Sequence, residues 1–131
     1  MRGDTLRAHD LAAVSLGGAL GALLRWAIGE AAPTTDLPWA TGAVNVVGCL
    51  VLGALPVVGA VRRSPTLARF LGPGLLGGFT TVSAMAVETV DLADTGHVLQ
   101  AFAYAAGSLV LCLVAAATGR ALVHRLTEAV P

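Results

Sequence analysis

Between Gly72 and Glu88 the chain reads GPGLLGGFTTVSAMAVE, in which Pro73 and four glycines interrupt a segment that is otherwise apolar enough to cross a membrane. In hydrocarbon every backbone N–H and C=O needs a partner. Non-helical backbone therefore occurs at membrane depth only where protein buries it, or where it lines a cavity or binds an ion. The stretch predicts a membrane helix that is broken at a candidate ion site.

The composition places this break in a membrane protein, because 56% of the 131 residues are hydrophobic and 12% are charged. Four stretches approach the ~20 residues that a bilayer core requires. They run roughly over Leu11 to Ile28, Trp39 to Val61, Phe70 to Val90 and Val98 to Leu122. We therefore expect an all-α membrane protein with one four-helix domain over residues 1–131. A cleaved signal peptide is the alternative for the first stretch.

The charges are distributed asymmetrically across these four spans. The terminal side, together with the second loop, holds seven of the eight arginines: Arg2, Arg7, Arg62, Arg63, Arg69, Arg120 and Arg125. The opposite loops hold four acidic residues: Glu30, Asp36, Asp91 and Asp94. The positive-inside rule then predicts that both termini are cytoplasmic. Arg62 and Arg63 either fix this topology or contact lipid phosphates.

Several function classes find no support in the sequence. The chain has no lysine, no phosphate-binding loop and no nucleophile beside a base, so we expect no enzyme activity. Its dispersed arginines do not form a nucleic-acid surface. Cys49 and Cys112 fit inert packing, since they lack metal-ligand spacing. Many glycines favour close helix packing, and four thin helices suggest a dimer.

Three ordered motifs carry a family resemblance. They are GGALGALLR at 17–25, TGAVNVVG at 41–48 and GGFTTVS at 77–83, the last followed by Glu88. Together they resemble the CrcB/Fluc family of fluoride channels. The resemblance implies an antiparallel dimer with two fluoride pathways in the cell (inner) membrane. It also implies a structural Na⁺ at the dimer centre, held by the backbone carbonyls of Gly77 and Thr80. The alternative is a glycine cluster that only kinks and packs.

Four residues are candidates for the fluoride pathway implied by this resemblance. Asn45 lies in the middle of an apolar helix, where an unpaired amide costs roughly 1–3 kcal/mol, so it needs a partner or a function. Its NH₂ group could replace water around fluoride, or it could form an interhelical hydrogen bond. Tyr104 and Ser108 are one helical turn apart and share a face. They too could serve only as interhelical bonds, and Ser83 lies in the third motif.

Two charged residues within or near the spans have open roles. Arg25 lies about one turn before the end of the first span. It could attract anions into a vestibule or interface, or extend to the lipid headgroups. Glu88 would repel fluoride near a pathway, so we expect it to hold a helix end or to bind a structural partner.

The largest departure from the family pattern is in the third motif. Val82 and Met85 stand where the family usually has two phenylalanines, whose positive ring edges can face an anion. An antiparallel homodimer also requires one sequence to insert both ways, which a strong arginine bias disfavours. We therefore expect a heterodimer with an opposite-topology homologue. The alternatives are a small multidrug-type carrier and a non-conducting auxiliary subunit.

Overall fold

A computed structural model describes residues 7–33 and 37–128 of the chain. Arg2 and Asp36, which contribute to the charge asymmetry, lie outside the described residues. The α-helices, in chain order, are α1 Ala8–Ala31, α2 Trp39–Ala54, α3 Gly59–Arg63, α4 Pro65–Arg69, α5 Gly77–Phe79, α6 Val82–Asp94 and α7 Val98–Glu128. A short 3₁₀ turn follows α2 at Leu55–Val57, and a π-helix joins α4 to α5 at Phe70–Leu76.

These elements form four segments that are long and apolar enough to cross a membrane, as predicted. They are Ala8–Ala31, Trp39–Val57, Pro65–Asp94 and Val98–Thr127. The predicted second span, which continued to Val61, is too long. Pro56 lies in the 3₁₀ turn, Val58 adopts an extended conformation, and α3 then begins separately. The first, third and fourth spans are longer than predicted because their helices continue into polar residues at the ends.

The third segment contains the predicted break. The Ser64 side chain accepts a hydrogen bond from the Leu67 N–H and so caps α4, which has Pro65 in its first turn. The π-helix that follows carries Pro73 in its interior, a residue that cannot donate a backbone hydrogen bond. π-Helical turns accommodate such insertions and are frequent at functional sites. The segment becomes non-helical at Thr80 and Thr81 before α6 begins.

The segments pack as two units. In the first unit α1 lies along the π-helix and α5, and in the second α2 lies along α7, which also contacts α6. Glycine makes the first contact possible. A Cβ atom on Gly17 would lie 2.8 Å from the Leu75 backbone nitrogen, and one on Gly21 would overlap the Leu75 carbonyl. In the second unit a Cβ on Gly53 would overlap the Ala116 carbonyl. Small residues thus bring the helix backbones together.

A buried ion pair joins the start of the first segment to the start of the third. An Asp10 carboxylate oxygen lies 2.8 Å from an Arg69 guanidinium nitrogen, and Thr66 donates a 3.1 Å hydrogen bond to the same carboxylate. Asp10 is 3% exposed. Since α1 and α4 both begin at this point, the first and third segments run in the same direction.

The outer surface of the chain is apolar. Leu99, Phe102 and Val82 are each more than 70% exposed, and most large hydrophobic side chains on α1 and α7 also face outward. Such a surface suits a helix bundle that contacts lipid tails or another membrane subunit. The Cys49 and Cys112 thiols face each other between α2 and α7.

Candidate functional site at the broken third helix

The break is a two-residue extended segment between α5 and α6. Thr80 has φ −79° and ψ 153°, and Thr81 has φ −150° and ψ 117°. The Thr80 N–H still donates to the Leu76 carbonyl at 2.9 Å, and the Thr80 hydroxyl donates to the same oxygen at 2.9 Å. The Thr81 hydroxyl accepts from the Ala84 N–H at 3.1 Å and so caps α6. The threonines therefore end one helix and begin the next.

Asn45 of α2 holds the break in place. Its side-chain carbonyl accepts the Thr81 N–H at 2.7 Å, and its NH₂ group donates to the Thr81 carbonyl at 2.9 Å. Asn45 is 6% exposed. The amide thus accepts the Thr81 N–H, which has lost its helical acceptor at the break, and adds a second bond to the Thr81 carbonyl. One N–H of the amide remains outside this reciprocal pair.

The break also changes the bonding of three carbonyls in and beside α5. In a continuous helix the Gly77 carbonyl would accept the Thr81 N–H, which instead goes to Asn45. The Thr80 carbonyl would accept the Ala84 N–H, which instead goes to the Thr81 hydroxyl. The carbonyls of Gly77 and Thr80 thus each lose their helical donor at the break.

The third carbonyl, that of Gly78, accepts a hydrogen bond from a side chain. Arg25 of α1 donates from Nε to the Gly78 oxygen at 3.3 Å. The Arg25 side chain is half-buried and contacts the break directly, an arrangement that neither the vestibule interpretation nor extension to the headgroups predicted. A fixed positive charge therefore lies beside the end of α5.

Beyond the break, in α6, Glu88 is the centre of a second cluster of polar side chains; the first is Asn45 with its bonds to Thr81. One carboxylate oxygen accepts the Thr41 hydroxyl at 2.6 Å, and the other accepts the Tyr104 hydroxyl at 2.7 Å. Glu88 lies in the interior of α6, so the helix-end interpretation is wrong and the partner interpretation fits. The carboxylate joins α2, α6 and α7, and hydrogen bonds to a charged group are among the stronger ones.

The two polar clusters share α2. Thr41 and Asn45 are one turn apart on that helix, and Gly48 follows on the same side. A Cβ on Gly48 would overlap the Thr80 methyl group and lie 3.3 Å from the Phe79 ring. One face of α2 therefore contacts the third segment at three places. The Thr41 hydroxyl binds Glu88, the Asn45 amide binds Thr81, and Gly48 leaves room for Phe79 and Thr80.

The other predicted site residues lie around this centre. Ser108 is buried on α7, one turn after Tyr104. Ser83 is exposed at the start of α6, where its hydroxyl lies 3.2 Å from the Thr81 hydroxyl. Val82 is 75% exposed and Met85 is half-buried, so the chain leaves the first of these two positions open at its surface.

Sequence reasoning missed Thr41 as a functional candidate, and it did not identify the partners of Asn45, Arg25 or Glu88. A usable signal existed for Thr41, because it lies four residues before Asn45 on a helix whose other side chains are apolar. The Arg25 contact had no such signal, since its acceptor is a backbone carbonyl 53 residues away.

This geometry defines a class of protein. The chain has four apolar spans, and polar side chains bind the interruption in the third. It is therefore a small multi-pass membrane protein with polar contacts inside the spans. Residues 12–120 match the profile of a family described as "CrcB-like protein, Camphor Resistance (CrcB)". The chain belongs to this CrcB-like family.

Named relatives cover most of the chain. It is 42% identical over 113 residues to the fluoride-specific ion channel FluC of Paracoccus denitrificans, across 85% of this chain and 91% of that protein. It is 45% identical over 113 residues to FluC 2 of Nocardia farcinica, across 83% and 81%. It is 42% identical over 112 residues to FluC of Thermus thermophilus, across 81% and 87%.

Proposed function

We propose that this chain is a subunit of a fluoride-selective ion channel that lets fluoride leave the cell passively, and is not an enzyme. Family membership and the names of the relatives carry the proposal. Fluoride that enters as the neutral acid dissociates inside and then leaves down its electrochemical gradient. Such a channel requires a narrow route whose polar groups compensate for the lost hydration of the anion.

For the fluoride route we propose Asn45, Ser83, Tyr104 and Ser108. The support is their position at or beyond the break, on the helices that Glu88 joins. Asn45 keeps one N–H outside its pair with Thr81, and this N–H is a donor that a small anion can accept. Because the Tyr104 hydroxyl donates to Glu88, a passing fluoride would compete with a carboxylate for that proton.

Arg25 is proposed as a vestibule or interface residue. The support is its 3.3 Å hydrogen bond to the Gly78 carbonyl, which holds the guanidinium beside the break. A positive charge held at that point raises the local concentration of anions. Arg25→Gln keeps a hydrogen-bond donor for the carbonyl and removes the charge. We therefore expect it to reduce fluoride efflux while the break remains formed.

We further propose that the carbonyls of Gly77 and Thr80 bind a structural Na⁺ between two subunits. Both carbonyls lose their helical donor at the break, and unwound backbone of this type coordinates Na⁺ in other membrane proteins. Bound Na⁺ would supply positive charge that satisfies these oxygens. In K⁺ or choline buffer we expect the assembled channel to lose thermal stability and efflux, with recovery when Na⁺ is restored. Equal stability in all three cations would reject this site.

The partner proposed here is an opposite-topology homologue in an antiparallel heterodimer, with both termini of this chain in the cytoplasm. Val82 and Met85 leave this chain without the two aromatic rings implied by the family resemblance, and the exposure of Val82 places one of these positions where a partner can reach it. The arginine asymmetry favours a single orientation in the membrane. Paralogues numbered FluC 1 and FluC 2 among the relatives agree with paired subunits.

Fluoride efflux from proteoliposomes tests the proposal. The chain alone is compared with the chain co-expressed with an opposite-topology homologue. We expect efflux only from the mixture, whereas full efflux from the chain alone would reject the heterodimer. No efflux from either would reject the channel assignment and favour an auxiliary subunit, or a carrier if saturable proton-coupled exchange appeared.

A paired variant tests the role of the missing rings. We expect the chain alone to be inactive because these rings are missing, so Val82→Phe with Met85→Phe should raise its efflux. Val87→Phe is the matched control, because it adds a ring at another exposed position of α6. If the double variant and Val87→Phe raised efflux equally, the added rings would act only through general packing.

A further inference from the structure

The loop between the second and third spans contains a charged cavity that the proposed channel does not use. The cavity has a volume of about 370 Å³ and is lined by Gly59, Arg62 and Arg63 of α3. This volume lies in the ~300–1,000 Å³ range of small-ligand sites. Because α3 begins two residues after the second span ends at Val57, the cavity lies at the edge of the membrane.

Gly59 and the Arg63 guanidinium lie close together in this cavity. A Cβ atom on Gly59 would lie 3.6 Å from both terminal nitrogens of the Arg63 guanidinium, one helical turn away. The guanidinium therefore lies beside Gly59, at ordinary van der Waals distance from the position of a Cβ. Arg62, the next residue along the chain, lines the same space. Two positive charges thus border one cavity.

Neither guanidinium is neutralised by another described residue. In the described ranges no ion pair or side-chain hydrogen bond involves Arg62 or Arg63, whereas the nearby Arg69 pairs with Asp10. Both residues are exposed. Two arginines without a partner among the described residues thus border one cavity, and guanidinium groups match phosphate oxygens in a bidentate geometry.

We propose that this cavity binds the phosphate of an anionic phospholipid from the adjoining leaflet. Val51 and Leu52 are exposed on α2, in the span that ends just before the cavity, and we expect this apolar surface to receive the acyl chains of the same lipid. Free inorganic phosphate shares the headgroup chemistry but gains nothing from that apolar surface. The site is separate from the break and does not depend on the fluoride assignment.

Native mass spectrometry of the purified chain, titrated with phosphatidylglycerol or phosphatidylcholine, tests this proposal. An arginine near the surface contributes about 1 kcal/mol to anionic-lipid binding. Arg62→Gln with Arg63→Gln should therefore weaken phosphatidylglycerol binding roughly thirtyfold, which corresponds to about 2 kcal/mol. Both residues are exposed, so we expect the variant to fold. Circular dichroism of the variant before the titration checks this.

Two matched variants distinguish lipid binding in the cavity from general attraction of anionic lipid to the arginines of the chain. Gly59→Leu fills the cavity and keeps both charges, so it should also weaken phosphatidylglycerol binding. Arg120→Gln removes an exposed arginine outside the cavity and should weaken the binding less than the loss of either cavity arginine does. The proposal would be overturned if Arg120→Gln weakened phosphatidylglycerol binding as much as each cavity arginine does. It would also be overturned if Gly59→Leu left that binding unchanged.

Competition identifies the source of the phosphate. Millimolar inorganic phosphate should leave the lipid bound if the acyl chains contribute as proposed. Displacement of phosphatidylglycerol by inorganic phosphate would overturn the lipid assignment and make the cavity a site for the free anion. Equal retention of phosphatidylglycerol and zwitterionic phosphatidylcholine would overturn the charge argument.

Discussion

Replacing Asn45 by alanine should destabilise the chain more than any other single truncation on α2. The substitution removes the acceptor of the Thr81 N–H and the donor to the Thr81 carbonyl, which are the two bonds that compensate for the broken helix. Alanine offers neither group. Water reaches this position poorly, because Asn45 is 6% exposed even before the membrane and a partner cover the chain.

The magnitude follows from the two bonds. Side-chain hydrogen bonds between membrane helices contribute on average about 0.6 kcal/mol each and at most about 1.7 kcal/mol. Two such bonds give roughly 1–3.5 kcal/mol. The geometry here is short and reciprocal, and a buried polar group left without a partner costs about 1–3 kcal/mol. We therefore expect a loss of about 2–3 kcal/mol in the free energy of unfolding.

Unfolding in mixed micelles, with the fluorescence of Trp26 and Trp39 as the signal, measures this loss. Val44→Ala is the matched control, because Val44 is equally buried on α2 and has no side-chain hydrogen bond to lose. Hydrogen exchange adds a local readout, since the Thr81 amide should lose its protection in Asn45→Ala alone. A loss no larger than that of Val44→Ala, with Thr81 still protected, would refute the reasoning.

Three further predictions follow from contacts elsewhere in the chain. Gly21→Ala should cost about 1–3 kcal/mol by overpacking α1 against the π-helix, whereas Gly29→Ala, with nothing within 4 Å, should be neutral or stabilising in the same unfolding assay. Tyr104→Phe should cost about 0.5–1.5 kcal/mol by removing a donor to Glu88, and fluoride efflux of the assembled channel should fall as well. Asp10→Asn should lower the melting temperature, and neutralising its arginine partner on α4 in the same chain should restore part of the loss, because an unpaired buried charge is the main cost. Stability equal to that of the unchanged chain in Gly21→Ala, Tyr104→Phe or Asp10→Asn would contradict the corresponding prediction, as would a clear loss of stability in Gly29→Ala.

The four spans and the break could be predicted because they depend on properties that single residues carry. Long apolar runs indicate membrane helices whatever they pack against, and glycine with proline disrupts a helix locally. The end of the second span was harder to place. Val57, Val58 and Val61 are all apolar, so hydropathy alone continues the helix through the 3₁₀ turn that contains Pro56.

The arrangement of the site could be predicted only in part. The cost of burying an amide marked Asn45 as a residue that needs a partner, and the structure supplies Thr81. The identity of that partner depends on how α2 crosses the third segment, which no local pattern contains. The same holds for Arg25, because the Gly78 carbonyl becomes an acceptor only after the helix has opened.

The division of the chain into two packing units affects how mutations combine. Changes at α1 and the π-helix are felt within one unit, and changes at α2 and α7 within the other, so their energetic effects should add. Asn45 and Gly48 are exceptions, because both belong to α2 in the second unit and contact the third segment at the end of the first unit. Asn45 bonds to Thr81, and Gly48 lies against Phe79 and Thr80. Thermodynamic coupling between distant positions in this protein should therefore concentrate on the face of α2 that contacts the break.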